Sequence, residues 1–515
     1  MKQLLFIVII LIGQTLNAAP NSISIDETQW QNIENQIAIS SQQAYIKASN
    51  TDSIDYFGND VAIFGDTLVV GGHLEDSNSS GVNGDQLNNA AVNSGAVYIY
   101  NRIDGNWVFD SYIKSSNSST NDWFGYSVAI YQDTMVIGAR LEDSNATLVD
   151  GDQNNDLASA SGAVYVFNRI AGDWMQTAYI KASNTDNSDN FGDSVAIYGN
   201  YIAISATGED SDSTGVDGNQ INNDASNSGA VYLYQLISGN WEFIHYIKAS
   251  NTDIDDEFGS SLALSDGLLV VGAFKEDSIA QGIGGNQNNN SAVNSGAVYV
   301  YQLDGGSWVF KEYLKSSNSQ SDDSFGKDVA VINNTIVVGS INEDSNATGV
   351  NGDESDNSLN ASGAVYVFTK AINNTWSQQA YLKASNSGDN DFFGSAVSVG
   401  NKVIVVAARG ERSSATGING DENNNSSNKS GAAYVFAFID NNWQQQTYIK
   451  PFNTGAFDYF GLSVSLSNNS VVVGTRDEDG SSTGVNGVDN NLSEQSGAAY
   501  VFDNISDFVF ENSFE

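Results

Sequence analysis

Three features of the sequence predict an all-β, seven-bladed β-propeller with four antiparallel strands per blade. A Phe-Gly pair recurs seven times, at Phe57-Gly58, Phe124-Gly125, Phe191-Gly192, Phe258-Gly259, Phe325-Gly326, Phe393-Gly394 and Phe460-Gly461. Its spacing is 67 residues five times and 68 once, and a fixed period of this kind sets the architecture before any other reading. Between successive pairs lie four short runs rich in β-branched and aromatic residues, separated by turns of Gly, Asn and Asp. No segment sustains an apolar period of 3.6, so helical repeats are excluded. One four-stranded sheet cannot cover both its faces. Seven packed around an axis do so and leave only short edges.

The N-terminus reads as an export signal. Met1-Lys2 precedes an apolar run from Leu4 to Gly13 and then Thr15-Leu16-Asn17-Ala18, which places a signal peptide over 1–18. The run is short for a membrane span, and no other run approaches that length. The expected mature chain is therefore exported without a transmembrane anchor, to the medium, the cell surface or the periplasm. Residues 19–40 do not match the repeat and form an irregular lead-in. The propeller is expected over 41–515.

Blade one shows the logic of every blade. Its first strand opens at Phe57-Gly58 and carries Val61-Ala62-Ile63. Gly65-Asp66 turns it back, since Gly, Asn and Asp tolerate the positive φ of a tight hairpin. The second strand runs from Thr67 to Gly71, and a long polar loop follows. Gly95 to Tyr100 form the third strand, Asp104-Gly105 the next turn, and Trp107 to Lys114 the fourth strand. That Trp recurs as Trp174, Trp241, Trp308, Trp376 and Trp443 and is expected to pack between neighbouring sheets. Closure has two candidates, because seven sets of the first three strands face eight candidate fourth strands. Residues 41–47 keep the Tyr and Lys of the pattern and are favoured over 508–515 for completing the last blade.

Composition narrows the function. The chain of 515 residues carries a net charge of −42 and no cysteine. Clustered Lys and Arg for phosphate contacts are missing, so nucleic acid is not an expected partner. Disulfides, thiol catalysis and Cys-ligated metals are excluded.

A Phe-Gly opening each blade, with Gly71-Gly72, Gly138-Ala139 or Gly272-Ala273 after the second strand, resembles the FG-GAP repeat. That repeat builds the propeller of integrin α subunits and of many secreted bacterial proteins. The resemblance covers 41–515 and implies a binding or adhesion surface rather than catalysis. The chain departs from it in one respect. The connection between first and second strands is a two-residue turn, with no room for an Asp-x-Asp-x-Asp-Gly calcium loop.

Comparing the seven copies separates constant from variable positions. Lys47, Asn50, Asp55 and Glu75 have an identical residue in every copy, at Lys114, Asn117, Asp122 and Glu142 and so on round the chain. A repeated structural network is the expected role, with Lys paired to an acid. The long loops, from Glu75 to Ser94 in the first copy, exceed about 12–15 residues and suggest function or a stiffening device. Two devices fit: local turns to backbone, or Ca²⁺, which takes about six to eight oxygen ligands. The acids best placed for Ca²⁺ are Glu75, Asp76 and Asp85; Glu142, Asp143, Asp150 and Asp152; and Glu343, Asp344 and Asp353.

Two residues before the constant Glu, the copies read His73, Arg140, Thr207, Phe274, Ile341, Arg409 and Arg476. The basic residues belong to blades six, seven, one and two, which adjoin in a closed ring. His73, Arg140, Arg409 and Arg476 are thus candidate contacts for an anion or acidic glycan. No nucleophile, zinc or phosphate-loop motif is present. The expected function is an exported binding or adhesion module using its long-loop face on a protein or glycan ligand. The alternatives are a structural protein of the cell surface or biofilm, and a carbohydrate-active propeller enzyme.

Overall fold

The computed structural model describes residues 42–503 and 505. The signal peptide, the lead-in and the candidate closing strand at 508–515 lie outside them. Within them, seven antiparallel sheets follow one another as blades. Blade one consists of Phe57–Phe64, Thr67–Gly72, Ala96–Ile103 and Asn106–Ile113, hydrogen-bonded in that order. Blades two to six repeat it. The first strands of all seven blades line one axial channel of about 550 Å³.

Blade seven takes its fourth strand from the other end of the chain. Ala44–Ile46 pairs antiparallel with Ala498–Asp503, in the register Ala44–Val501, Tyr45–Tyr500 and Ile46–Ala499. The N-terminal strand thus closes the ring.

The core is not inside any blade but between blades. Seven apolar clusters each combine residues of two adjacent blades. Trp107, Tyr98 and Tyr100 of blade one pack with Val472, Ala499 and Val501 of blade seven. Trp174, Trp241, Trp308, Trp376 and Trp443 occupy the matching clusters, as their spacing predicts. The Phe-Gly pair serves the same interface. Phe57 is fully buried with its ring edge-on to Tyr98 at 5.2 Å. Gly58 sits at φ +86°, where a Cβ would meet the Ala498 carbonyl oxygen of blade seven at 2.2 Å. No other residue allows both the left-handed backbone and that approach.

The long loops are held by backbone pairing. In blade one the loop returns along the outer edge of its own fourth strand, with Val82 bridged to Ile113. Asn83 N donates to Tyr112 O at 2.7 Å and Lys114 N to Gly81 O at 2.9 Å. The same bridge recurs at Val216, Ile283, Val350, Ile418 and Val485. In blade two it extends to the two-residue strand Leu148–Val149. The outer edge of each sheet is thereby covered against edge-to-edge pairing.

Candidate functional site

Three of the four constant polar residues, Lys, Asn and Glu, meet in one buried node per blade; the constant Asp is held apart by the amide three residues before it. In blade one Lys114 Nζ donates to Glu75 Oε2 at 2.9 Å and to Ser94 Oγ at 2.6 Å. Tyr112 OH and Asn50 Nδ2 donate to Glu75 Oε1 at 2.8 and 3.0 Å. Ser77 N donates to Glu75 Oε2 at 3.1 Å. The Lys–Glu distance stays between 2.7 and 3.0 Å in all seven copies, with both side chains essentially inaccessible. Burial pulls the Lys114 ammonium below its usual range, and Glu75 opposes it. Asn50 follows the fourth strand of blade seven yet bonds to blade one. The node therefore stitches neighbouring blades as well as fastening its own loop. In blade seven its lysine is Lys47, so the pair Lys47–Glu478, at 2.7 Å, joins the two ends of the chain.

The acids named for a cation are engaged elsewhere. Glu75, Glu142 and Glu343 are the node carboxylates, paired with Lys114, Lys181 and Lys383. Asp76, Asp143 and Asp344 each accept one backbone amide, from Asn93, Ala160 and Ala361 at 2.7 Å. Asp85, Asp152 and Asp353 close local turns by accepting the amides of Leu87, Asn154 and Ser355 at 3.0 Å. Asp150 accepts Tyr179 N at 3.0 Å, as Asn83 does Tyr112 N in blade one. Among the described residues no three His, Cys, Asp or Glu converge as metal ligands would. The residues present do not fit a calcium cage of convergent oxygens.

The candidate anion contacts lie around the mouth of the axial channel at the long-loop end, but not on equal terms. Arg140 is tied to Asp193 at 2.8 Å and donates to Tyr126 OH at 2.9 Å. His73 is buried among Tyr56, Trp123 and Tyr126. Burial, then Arg476 and Arg140, lower its pKa to about 3, so its ring is neutral. Arg476 lies over the Tyr56 ring at 5.0 Å, with Asp477 at 3.4 Å. Arg409 lies over the Phe392 ring at 5.5 Å. Burial and then Arg476 lower its pKa. Phe274 and Ile341 fill the opposite sector, Ile341 buried and Phe274 partly exposed.

Two features of the mouth escape a reading of the second strand alone. The residue before Phe-Gly is aromatic in blades one, two, six and seven, at Tyr56, Trp123, Phe392 and Tyr459. These are the blades that carry His73, Arg140, Arg409 and Arg476. In blades three to five it is Asn190, Glu257 and Ser324. All seven of these residues have positive φ, between 51° and 58°, an uncommon backbone state for bulky side chains. The pattern was legible in the repeats. The second feature was not. A bulge shifts the register of the first strand between Phe325 and Val329, and bulges re-aim side chains. Lys327, on that bulge, lies over the Phe274 ring at 4.2 Å and lines the channel with Arg409 and Arg476.

Seven stretches, 40–100, 107–167, 174–234, 241–301, 308–368, 376–436 and 443–502, match the FG-GAP repeat family. Each runs from the fourth strand of one blade to the third strand of the next, which is why closure falls to the N-terminal strand. No curated protein matches the chain at a significant level. Among solved structures it is similar to a putative 6-phosphogluconolactonase from Bacteroides uniformis, with 10% identity, 75% of this chain and 85% of that one covered and a TM-score of 0.42. It is also similar to the WD40 domain of Toxoplasma gondii coronin, with 8% identity, 90% and 84% covered and a TM-score of 0.39. No function follows from likenesses at that level. Among the described residues no helix is long and apolar enough to cross a membrane. The seven matches cover most of the sequence, and the chain belongs to the FG-GAP repeat family.

Proposed function

We propose that this propeller is an exported binding module, and that the mouth of its axial channel on the long-loop face engages an acidic glycan. The observation that carries this is the coincidence of aromatic and basic side chains on blades six, seven, one and two of a chain with net charge −42. Tyr56, Trp123, Phe392 and Tyr459 are all partly exposed and offer ring faces to sugar C–H groups. Arg409 and Arg476 offer planar donor forks suited to carboxylate or sulfate oxygens. Arg409, laid on the Phe392 ring, keeps its charge available, because a ring, unlike a carboxylate, does not neutralise it, while Arg476 divides its guanidinium between the Tyr56 ring and Asp477. The node glutamates are sealed away from substrate by Lys and Tyr, which favours binding over catalysis.

Retention of the mature chain on immobilised polyuronate and sulfated polysaccharide, with dextran as the neutral control, tests the reading. The expected result is retention by an acidic polymer that weakens between low and about 0.15 M salt and is lost in Arg409→Met/Arg476→Met. Equal retention on dextran, or none on any acidic polymer at low salt, would overturn it.

A further inference from the structure

We infer that Lys327, Arg409 and Arg476, from blades five, six and seven, form a single oxyanion-binding subsite at the channel mouth, and that Lys327 is a required member of it. The inference rests on the reading of the mouth as a binding surface and names the group recognised there.

Most other cations among the described residues are paired, and those that are not, Lys370, Lys402 and Lys429, do not line the channel. Of 20 Lys and Arg, seven lysines are consumed by the buried nodes. At the mouth, Arg140 faces Asp193 and Lys275 faces Glu257. Lys327 and Arg409 have no ion pair and no side-chain hydrogen bond among the described residues. Their partners are the rings of Phe274 and Phe392. Arg476 has Asp477 at 3.4 Å.

The acids near Lys327 are all committed. Asp193 is held by Arg140 and Glu257 by Lys275. Asp328 accepts the amides of Val329 at 3.0 Å and Val397 at 2.7 Å. Burial, then Arg409, lowers the Lys327 pKa against the pull of Asp193, Glu257 and Asp328. Arg409 in turn is lowered by burial and Arg476. Arg409 is thus repelled by Arg476 and itself repels Lys327, and all three line the channel. An oxyanion placed among them relieves that repulsion and supplies the missing acceptors.

Titration calorimetry with sulfate, phosphate and acetate at constant ionic strength tests the subsite. Lys402, exposed and without an ion pair among the described residues, lies in a hairpin on the opposite face. It provides the charge-matched control. The expected result is one site on the parent, weakened at least about tenfold, or about 1.4 kcal/mol, in Lys327→Met and in Arg409→Met, and less than about twofold in Lys402→Met. Preference for sulfate or phosphate would assign a tetrahedral group, and preference for acetate a carboxylate. Amine acetylation of the unmodified parent, mapped by peptide mass, removes dependence on the variants' folding: saturating anion should protect Lys327 and leave Lys402 unchanged. No oxyanion site on the parent, full affinity in Lys327→Met, or unprotected Lys327 would overturn the subsite. Acidic-polymer retention that survives Lys327→Met but not Arg409→Met/Arg476→Met would sink the subsite and leave the glycan reading standing. Absent retention by any acidic polymer would sink the glycan reading, and the oxyanion titration would then decide the subsite alone.

Discussion

Glu75 and Lys114 show how one residue pair does two jobs. The carboxylate accepts from Lys114, Tyr112, Asn50 and the Ser77 amide. Such a buried pair is tolerable only while every partner remains, since removing one leaves a charge stranded in a low-dielectric interior. In blade two, Glu142→Gln strands the Lys181 ammonium and is expected to lower unfolding stability by about 3–5 kcal/mol, measured by urea denaturation. Lys181→Met/Glu142→Leu leaves no buried charge and is expected to be less damaging than the single change. Equal loss in both would place the energy in the hydrogen bonds of Tyr179 and Asn117 rather than in the charge.

At the scale of the element, the long loop is a strand-edge cover rather than a cation cage. Its Gly81–Asn83 stretch pairs with the fourth strand. Ser77 Oγ fastens its far side by donating to Asp85 O at 2.7 Å. The acids that invite a calcium reading accept backbone amides singly, so no two of their oxygens need a shared ion. Thermal unfolding in excess EDTA, against millimolar Ca²⁺ and Mg²⁺, is therefore expected to give one melting temperature. A ligand bound only by the folded state raises stability, so a large Ca²⁺-specific rise would show the loops rearranging into metal sites. The hairpins, the Trp positions and the blade-opening Phe-Gly were legible from spacing, because period-two patterning and turn chemistry are local. The loop's return along the strand was not, because Gly-Val-Asn-Gly carries no signal for which edge it will join.

At the scale of the whole molecule, closure and pH response follow from the ring. Deleting residues 1–47 removes the strand Ala44–Ile46 and Lys47, exposing the third strand of blade seven and leaving Glu478 without its lysine. A lower melting temperature and faster proteolysis are expected. An unchanged melting temperature would show that residues beyond 503 take over the edge. The pH response comes from a second constant acid. Asp55 and its six equivalents are buried and accept an amide three residues earlier, as Asp55 does from Asp52 at 3.0 Å. Burial, then Glu75, raises Asp55 to about 8. Burial first likewise raises Asp256 to about 8 and Asp122 to about 7. Their folded values lie above the unfolded value of about 3.9, so their contribution is full below about pH 4 and lost as pH rises through 7 to 8. His73, lowered to about 3, acts in the opposite sense below its unfolded pKa, and the seven node lysines, lowered first by burial, do so as pH rises towards the unfolded lysine value of about 10.4. The melting temperature is expected to fall from about pH 5 to about pH 7, below the range of the lysines, and Asp256→Asn to reduce the fall. A rise over that range would contradict the buried carboxyls.

The chain's own repetition specifies seven blades, their strands, their turns and the four constant polar residues. Each is encoded within about 67 residues and must be repeated wherever the same interface recurs. The grouping of Arg140, Arg409, Arg476 and His73 near the axis is also readable once the ring is assumed. Their separate electrostatic states are not. Arg140 and Lys327 are both cations at the mouth, yet a carboxylate on the next blade neutralises the first and a ring on the previous blade supports the second. Charge state and availability depend on contacts between residues about 50 or more positions apart, across a blade interface and a strand bulge. No local pattern encodes those contacts, so it is the packing of the ring that separates a paired cation from a free one.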